Sequence, residues 1–219
     1  MPSPSYVSGP SSLPLIGRTI GAELDRVAAR TPEALAVVSR HQDVRLTYGE
    51  LHARVEDVAR ALLALGVDKG DRVGIWSGNT IEWMLVQYAT AKLGAILVNV
   101  NPAYRRHELA YALAQSGVSV LVAARRFRRT DYVEILESVR SGLPALRHVV
   151  LAGPGEAGML GWDAMLAEGR PALTAALRAR EATLDFDEPI NIQYTSGTTG
   201  SPKGATLSHH NILNNGYFV

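Results

Sequence analysis

The chain contains no cysteine, which excludes disulfides, thiolate-held zinc or iron–sulfur clusters and a thiol nucleophile. It also lacks any run of the ~20 apolar residues that a bilayer-spanning helix needs, so no transmembrane segment is expected. Charge of one sign is missing as well: 22 Lys and Arg face 21 Asp and Glu, a net charge of +1. A dedicated nucleic-acid binder would carry a strongly basic face, so none is expected as a partner. An acidic disordered tail is equally absent. Met1-Pro2-Ser3-Pro4-Ser5 has neither a basic n-region nor an apolar h-region, so no secretory signal is expected. The expected location is the cytoplasm, a reducing compartment in keeping with the absence of cysteine.

What is present is ordinary for a soluble globular protein. Of 219 residues, 47 % are hydrophobic and 20 % charged, with a mean hydropathy of +0.02. That length allows one large domain or two small ones, and it buries about 70 % of the unfolded surface without a staple. Residues 1–18, rich in Pro, Ser and Gly, read as an extended N-terminal arm. From Thr19 the pattern is periodic. Leu24, Val27 and Ala28 form a helical stripe that stops before Pro32. Two short strands, 34–39 and 44–46, flank the turn residues His41-Gln42-Asp43.

Thr47 with Glu50 matches a capping box opening a helix whose buried face is Leu51, Val55, Val58, Leu62 and Leu65, stopped at Gly66. A strand over 72–76 follows. Asn79 with Glu82 matches a second capping box, before a helix with Ile81, Leu85 and Tyr88 inside and Gly94 at its end. Residues 96–100 are strand and 105–116 helix, with Leu109 and Leu113 inside and Gly117 as the stop. Residues 118–123 are almost wholly apolar, the pattern of a strand buried on both faces. This alternation predicts an α/β fold: a largely parallel sheet, right-handed crossovers and helices on both faces. Arg125, Arg126, Arg128 and Arg129 read as a solvated loop entering a helix near Thr130. Residues 153–161 read as a glycine-rich surface loop, 162–166 as a short helix or turn, and 170–185 as helical.

Chemistry concentrates after the strand over 190–194. Thr195-Ser196-Gly197-Thr198-Thr199-Gly200-Ser201-Pro202-Lys203-Gly204 combines glycines, hydroxyls and one lysine. Glycines let backbone N–H groups turn inward around an anion, hydroxyls add short donors, and the Lys203 ammonium is a mobile point charge. Together they describe a cradle for nucleotide phosphates. It is not a Walker A loop, because Pro202 precedes Lys203 and Gly204 follows it. His209 and His210, just beyond, read as helix cap and helix surface; neighbours about 100° apart on a helix seldom share a ligand.

The stretch 194–204 resembles the phosphate-binding signature of the adenylate-forming enzymes, which include acyl-CoA synthetases, luciferases and peptide-synthetase adenylation domains. Leu46–Leu51 and Ala91–Ile96 through Asn101-Pro102 resemble two further blocks of that family, in the same order. Residues 5–10, 99–104 and 129–132 are most similar to fatty acyl-CoA synthetases of the medium-chain type. The resemblance implies that 19–219 is the N-terminal part of an AMP-binding (adenylation) domain, ending after the phosphate-binding loop. It implies ATP, Mg²⁺ and coenzyme A as cofactors and a fatty acid as substrate. A carboxylate attacks the α-phosphorus of ATP, giving acyl-adenylate and pyrophosphate; coenzyme A then displaces AMP as a thioester.

By the same resemblance Thr195, Ser196, Gly197, Thr198, Thr199, Gly200 and Lys203 would line the β- and γ-phosphates, and Thr195 would help hold Mg²⁺. Family members are more than twice this long. The expectation is therefore an N-terminal portion inactive alone, marginally stable and prone to self-association through unpaired surface. Two alternatives stay open: a nucleotide-phosphate-binding module without ligase activity, and an adenylation domain for another carboxylic acid.

Overall fold

A computed structural model describes residues 13–195 and 202–219. In chain order its regular elements are α1 (Ile20–Arg30), β1 (Leu35–Ser39), β2 (Val44–Thr47), α2 (Tyr48–Ala64), β3 (Arg72–Trp76), α3 (Ile81–Leu93), β4 (Ile96–Asn99) and α4 (Arg106–Ser116). They continue as β5 (Val120–Ala123), β6 (Arg126–Phe127), β7 (Thr130–Asp131), α5 (Tyr132–Val139), β8 (His148–Leu151), β9 (Leu160–Gly161) and α6 (Trp162–Glu168). The last are α7 (Thr174–Glu181), β10 (Pro189–Thr195), β11 (Lys203–Ser208) and α8 (His209–Phe218). Among the described residues no helix is long and apolar enough to cross a membrane.

Seven strands form the main sheet in the order β11-β10-β4-β3-β5-β8-β9, and every pairing is parallel except β10 with β11. The expected α/β architecture is the observed one. Strand residues alternate between two cores, as a period of two requires. Val73, Ile75, Leu97, Val120 and Val122 pack with residues of α1, α2, α3, α6 and α7. Trp76, Val98, Leu121, Ala123 and Leu151 pack with α4 and α5 on the opposite face. From β3 the chain crosses to β4 on one side and then returns past β3 to β5 on the other. The topological switch point therefore lies between β3 and β5, and open α/β sheets bind ligands at the carboxyl ends of such strands.

Local signals explain most boundaries. The Thr47–Glu50 capping box is formed in both directions, at 2.8 and 3.2 Å. Gly94 and Gly117, at φ +69° and +63°, close α3 and α4 in the left-handed conformation that glycine takes without steric cost. The second expected capping box is corrected by one residue. Thr80, not Asn79, caps α3, its hydroxyl accepting from the Trp83 N–H at 3.5 Å. Both residues are good caps, and the backbone chooses the one whose oxygen reaches the third amide. The arginine-rich stretch is a two-residue hairpin, β6 against β7, rather than a plain loop. Arg125 is paired with Asp131 and Glu156, and all four arginines are exposed. Residues 13–19 lie outside regular structure, and Ile16 is tied to α8 by two hydrogen bonds with the Asn214 amide, at 2.7 and 3.1 Å.

Candidate functional site

β10 and β11 run as an antiparallel ladder that opens at the carboxyl edge of the parallel strands. Its last register pair is Thr195 with Lys203, and β10 is held on its other side by β4, where Gln193 pairs with Asn99. The Thr195 hydroxyl donates to the Lys203 carbonyl oxygen at 3.4 Å, a long bond across the mouth. Both residues are exposed. Ser196, Gly197, Thr198, Thr199 and Gly200, also expected at the phosphates, lie outside the described residues.

Gly204 stands opposite Tyr194 in the ladder, and any Cβ there would sit 2.9 Å from Ile192 Cγ2. A Cβ there would require Ile192 or the strand to shift, so packing favours glycine after Lys203. Among the described residues no carboxylate pairs with the Lys203 ammonium, which leaves its charge available to an anion. The Thr195 oxygen keeps its lone pairs while donating its proton, and a hard neutral oxygen of this kind suits Mg²⁺, which takes few protein ligands beside phosphate oxygens and water. Thr195 and Lys203 thus offer an oxygen and a cation of the kinds that a Mg-bound polyphosphate would take.

A second cluster has metal-like spacing. Ligating atoms of Asp25, His52 and Glu56 lie within 4.8 Å of one another. A cation is already there. The fully buried Lys92 ammonium is 2.6 Å from Asp25 Oδ1, 2.6 Å from Glu181 Oε1 and 3.7 Å from Glu56 Oε1, and Arg178 also contacts Glu56. Burial alone would raise the Asp25 carboxyl, but hydrogen bonds from His52 and Lys92 outweigh it and hold Asp25 below the ordinary range. This is an ion-pair network joining α1, α2, α3 and α7, not a metal centre. Sequence reasoning missed it because its partners come from four distant segments.

The expectation for the histidines is half corrected. They do point apart, but Ser208 is the cap of α8 and His209, its first residue, is fully buried rather than a cap or a surface residue. Its Nδ1 accepts from the Ile20 N–H at 3.2 Å, which places the neutral ring's proton on Nε2. Burial pushes its pKa down to about 4. His210 meets the Phe186 ring edge-on at 5.3 Å, with Nδ1 3.6 Å from Asp187 Oδ1.

Residues 24–219 match the family described as AMP-binding enzyme. The chain is 42 % identical over 229 aligned positions to the medium-chain acyl-CoA ligase ACSF2, mitochondrial, of Bos taurus. That alignment covers 98 % of this chain and 37 % of the bovine protein. Among solved structures it is similar to the anthranilate CoA ligase AuaEII in complex with anthranoyl-AMP, with a TM-score of 0.73 and 27 % identity over 90 % of this chain and 36 % of that one. It is also similar to the N-terminal domain of FACL13 from Mycobacterium tuberculosis, with a TM-score of 0.70 and 28 % identity over 88 % of this chain and 44 % of that one.

Proposed function

The chain belongs to the AMP-binding enzyme family, and from that premise we propose that it is the N-terminal, phosphate-holding portion of an ATP-dependent fatty acid–CoA ligase. It spans 37 % of the length of the bovine relative it matches, and the ligase reaction belongs to the longer protein. By itself it binds Mg·ATP through the loop between β10 and β11 and does not complete acyl-adenylate formation. The observation that carries this reading is the Thr195–Lys203 mouth. The last register pair of the antiparallel ladder, at the carboxyl edge of a parallel sheet, brings together Lys203, whose ammonium has no carboxylate partner among the described residues, and Thr195, whose hydroxyl oxygen keeps its lone pairs. Lys203, Thr195 and the residues between them hold the β- and γ-phosphates, and the Thr195 hydroxyl joins the shell of Mg²⁺. When bound, that ion shields charge on the triphosphate.

Coenzyme A and a medium-chain fatty acid are the remaining substrates of the parent enzyme in this reading, supported by the similarity to ACSF2. The cytoplasm is the compartment read from the sequence. The bovine relative carries "mitochondrial" in its name. Self-association follows from exposed apolar side chains on α8, where Tyr217 and Phe218 are each 53 % exposed.

Hydrogen exchange on the purified chain tests the reading. Mg·ATP should protect amides of residues 195–204, and Lys203→Ala should abolish that protection. Acyl-dependent pyrophosphate exchange should be undetectable; turnover by the isolated chain would overturn the claim that it is catalytically incomplete. No protection at saturating Mg·ATP would overturn the binding claim.

A further inference from the structure

The two arms of the loop are tied to α4 as well as to each other. Tyr111 and Gln115 stand one turn apart on that helix and so share a face. Tyr194, the residue before Thr195, directs its hydroxyl at the Ala112 carbonyl oxygen and Gln115 Oε1, both at 3.0 Å. Gln115 Nε2 donates to the Tyr111 hydroxyl oxygen at 2.9 Å. The Tyr111 hydroxyl in turn donates to the carbonyl oxygen of Pro202, the residue before Lys203, at 3.3 Å. The Tyr194 proton is shared between the Ala112 and Gln115 oxygens, and the Gln115 and Tyr111 donors extend the bonds in a chain from the β10 arm through two α4 side chains to the β11 arm. Such chains polarise one another and are worth more together than apart.

The arms need this support. Among the described residues β11 is the edge strand, paired only with β10, and Lys203–Thr206 are exposed. The open end of a two-stranded ladder is where fraying starts. α4, in contrast, is anchored by Leu109 and Leu113, at 0 and 2 % exposure in the core. It is thus a rigid post beside a ladder that would otherwise be fixed from one side only. Burial raises the Tyr194 hydroxyl above its ordinary pKa, so it stays protonated and keeps donating.

We propose that Tyr111 and Gln115 are positioning residues for the phosphate loop, setting the separation of Tyr194-Thr195 from Pro202-Lys203 so that hydroxyl and ammonium meet the same polyphosphate. The ligand half of this statement rests on the function proposed above; the geometric half does not. Neither residue is assigned contact with the nucleotide.

Amide hydrogen exchange on the whole 219-residue chain tests it, with Tyr111→Phe, Gln115→Leu, Gln115→Glu and the Tyr111→Phe/Gln115→Leu pair. Gln115→Leu should speed exchange at 194–195 and 203–205 by about five- to tenfold and Tyr111→Phe at 203–205, leaving β5 and β8 at wild-type rates. The double variant should match Gln115→Leu at 194–195 and exchange at least as fast at 203–205, where it also loses the Tyr111 bond to Pro202. Gln115→Glu keeps the acceptor for Tyr194 and removes the donor to Tyr111, so it should loosen only the 203–205 arm.

Mg·ATP affinity, titrated in parallel, should fall by a similar factor without change in Tm. Unchanged exchange at 194–205 in Tyr111→Phe and Gln115→Leu, or equal acceleration throughout the sheet, would overturn the proposal. Arm-specific loosening in a chain that binds no Mg·ATP would remove the nucleotide reading and leave the tie from α4 standing.

Discussion

The Lys92 ammonium, with none of its side chain exposed, lies 2.6 Å from the Asp25 carboxylate, joining α3 to α1 at the centre of a four-helix contact. Gly21 is where the lysine stem crosses α1, since a Cβ there would sit 2.9 Å from Lys92 Cγ. An ammonium taken out of water is tolerated only when carboxylates and hydrogen bonds surround it. Here Asp25, Glu181 and, at longer range, Glu56 do so.

Lys92→Ala should therefore cost about 3 kcal/mol, from stranded carboxylates plus the lost stem, whereas Lys92→Met keeps the stem and should cost clearly less. Urea denaturation of the three proteins measures both. A loss below about 0.5 kcal/mol for the alanine variant, the size of an ordinary surface substitution, would mean the network does not hold the helices together.

His209 sets an acid limit. Its folded pKa is depressed to about 4 from an ordinary 6.5, so the native state prefers the neutral ring. For a base shifted this way the stabilisation is fully present above the unfolded value. It is lost as pH falls from about 6.5 towards 4, by up to roughly 3 kcal/mol. His209→Gln keeps an acceptor for the Ile20 N–H without a titrating ring. Melting temperature against pH should fall less steeply across that window in the variant than in the wild type.

Periodicity and caps made the sheet and most helices legible, because Leu51-Val55-Val58-Leu62 or a glycine after α4 need only neighbours within a turn or two. The stretch of glycines and hydroxyls ending at Lys203 stands out in the sequence for the same reason: its residues are contiguous. What escaped depends on distant partners. The proton acceptance by His209 involves a residue 189 positions away, and Lys92 meets Glu181 across 89 positions. The hydroxyl chain through Tyr111 and Gln115 joins segments 79 to 91 positions apart, so no local pattern announces it.

Gly204 should be intolerant of β-branched residues. Gly204→Val drives a Cβ into Ile192 Cγ2, the stiff branch of a strand residue rather than a flexible tip, and overpacking of this kind costs about 1–3 kcal/mol. The β10–β11 pairing carries the strain, so Mg·ATP affinity should fall along with the urea midpoint. Gly204→Ala should move both in the same direction by less. A valine variant with wild-type stability would show that β11 can shift away from β10 at no cost.

Trp76 and Tyr132 fix the segment after β4. Their fully buried rings stack with centroids 3.5 Å apart and planes 5° from parallel. Each holds one of two consecutive carbonyls: Trp76 Nε1 donates to Asn101 at 3.2 Å and the Tyr132 hydroxyl to Pro102 at 2.5 Å. Burial raises the Tyr132 pKa well above its ordinary value, so the hydroxyl donates at every pH the protein survives. Tyr132→Phe keeps the stack and removes one bond, which should cost about 1–2 kcal/mol and speed amide exchange at Ala103 and Tyr104. Tyr132→Ala also opens a cavity and should cost about 3–5 kcal/mol. The difference between the two variants separates the ring's packing from the carbonyl's anchor. If phenylalanine were silent in both stability and exchange, the turn after β4 would be held by the stack and the Trp76 bond alone.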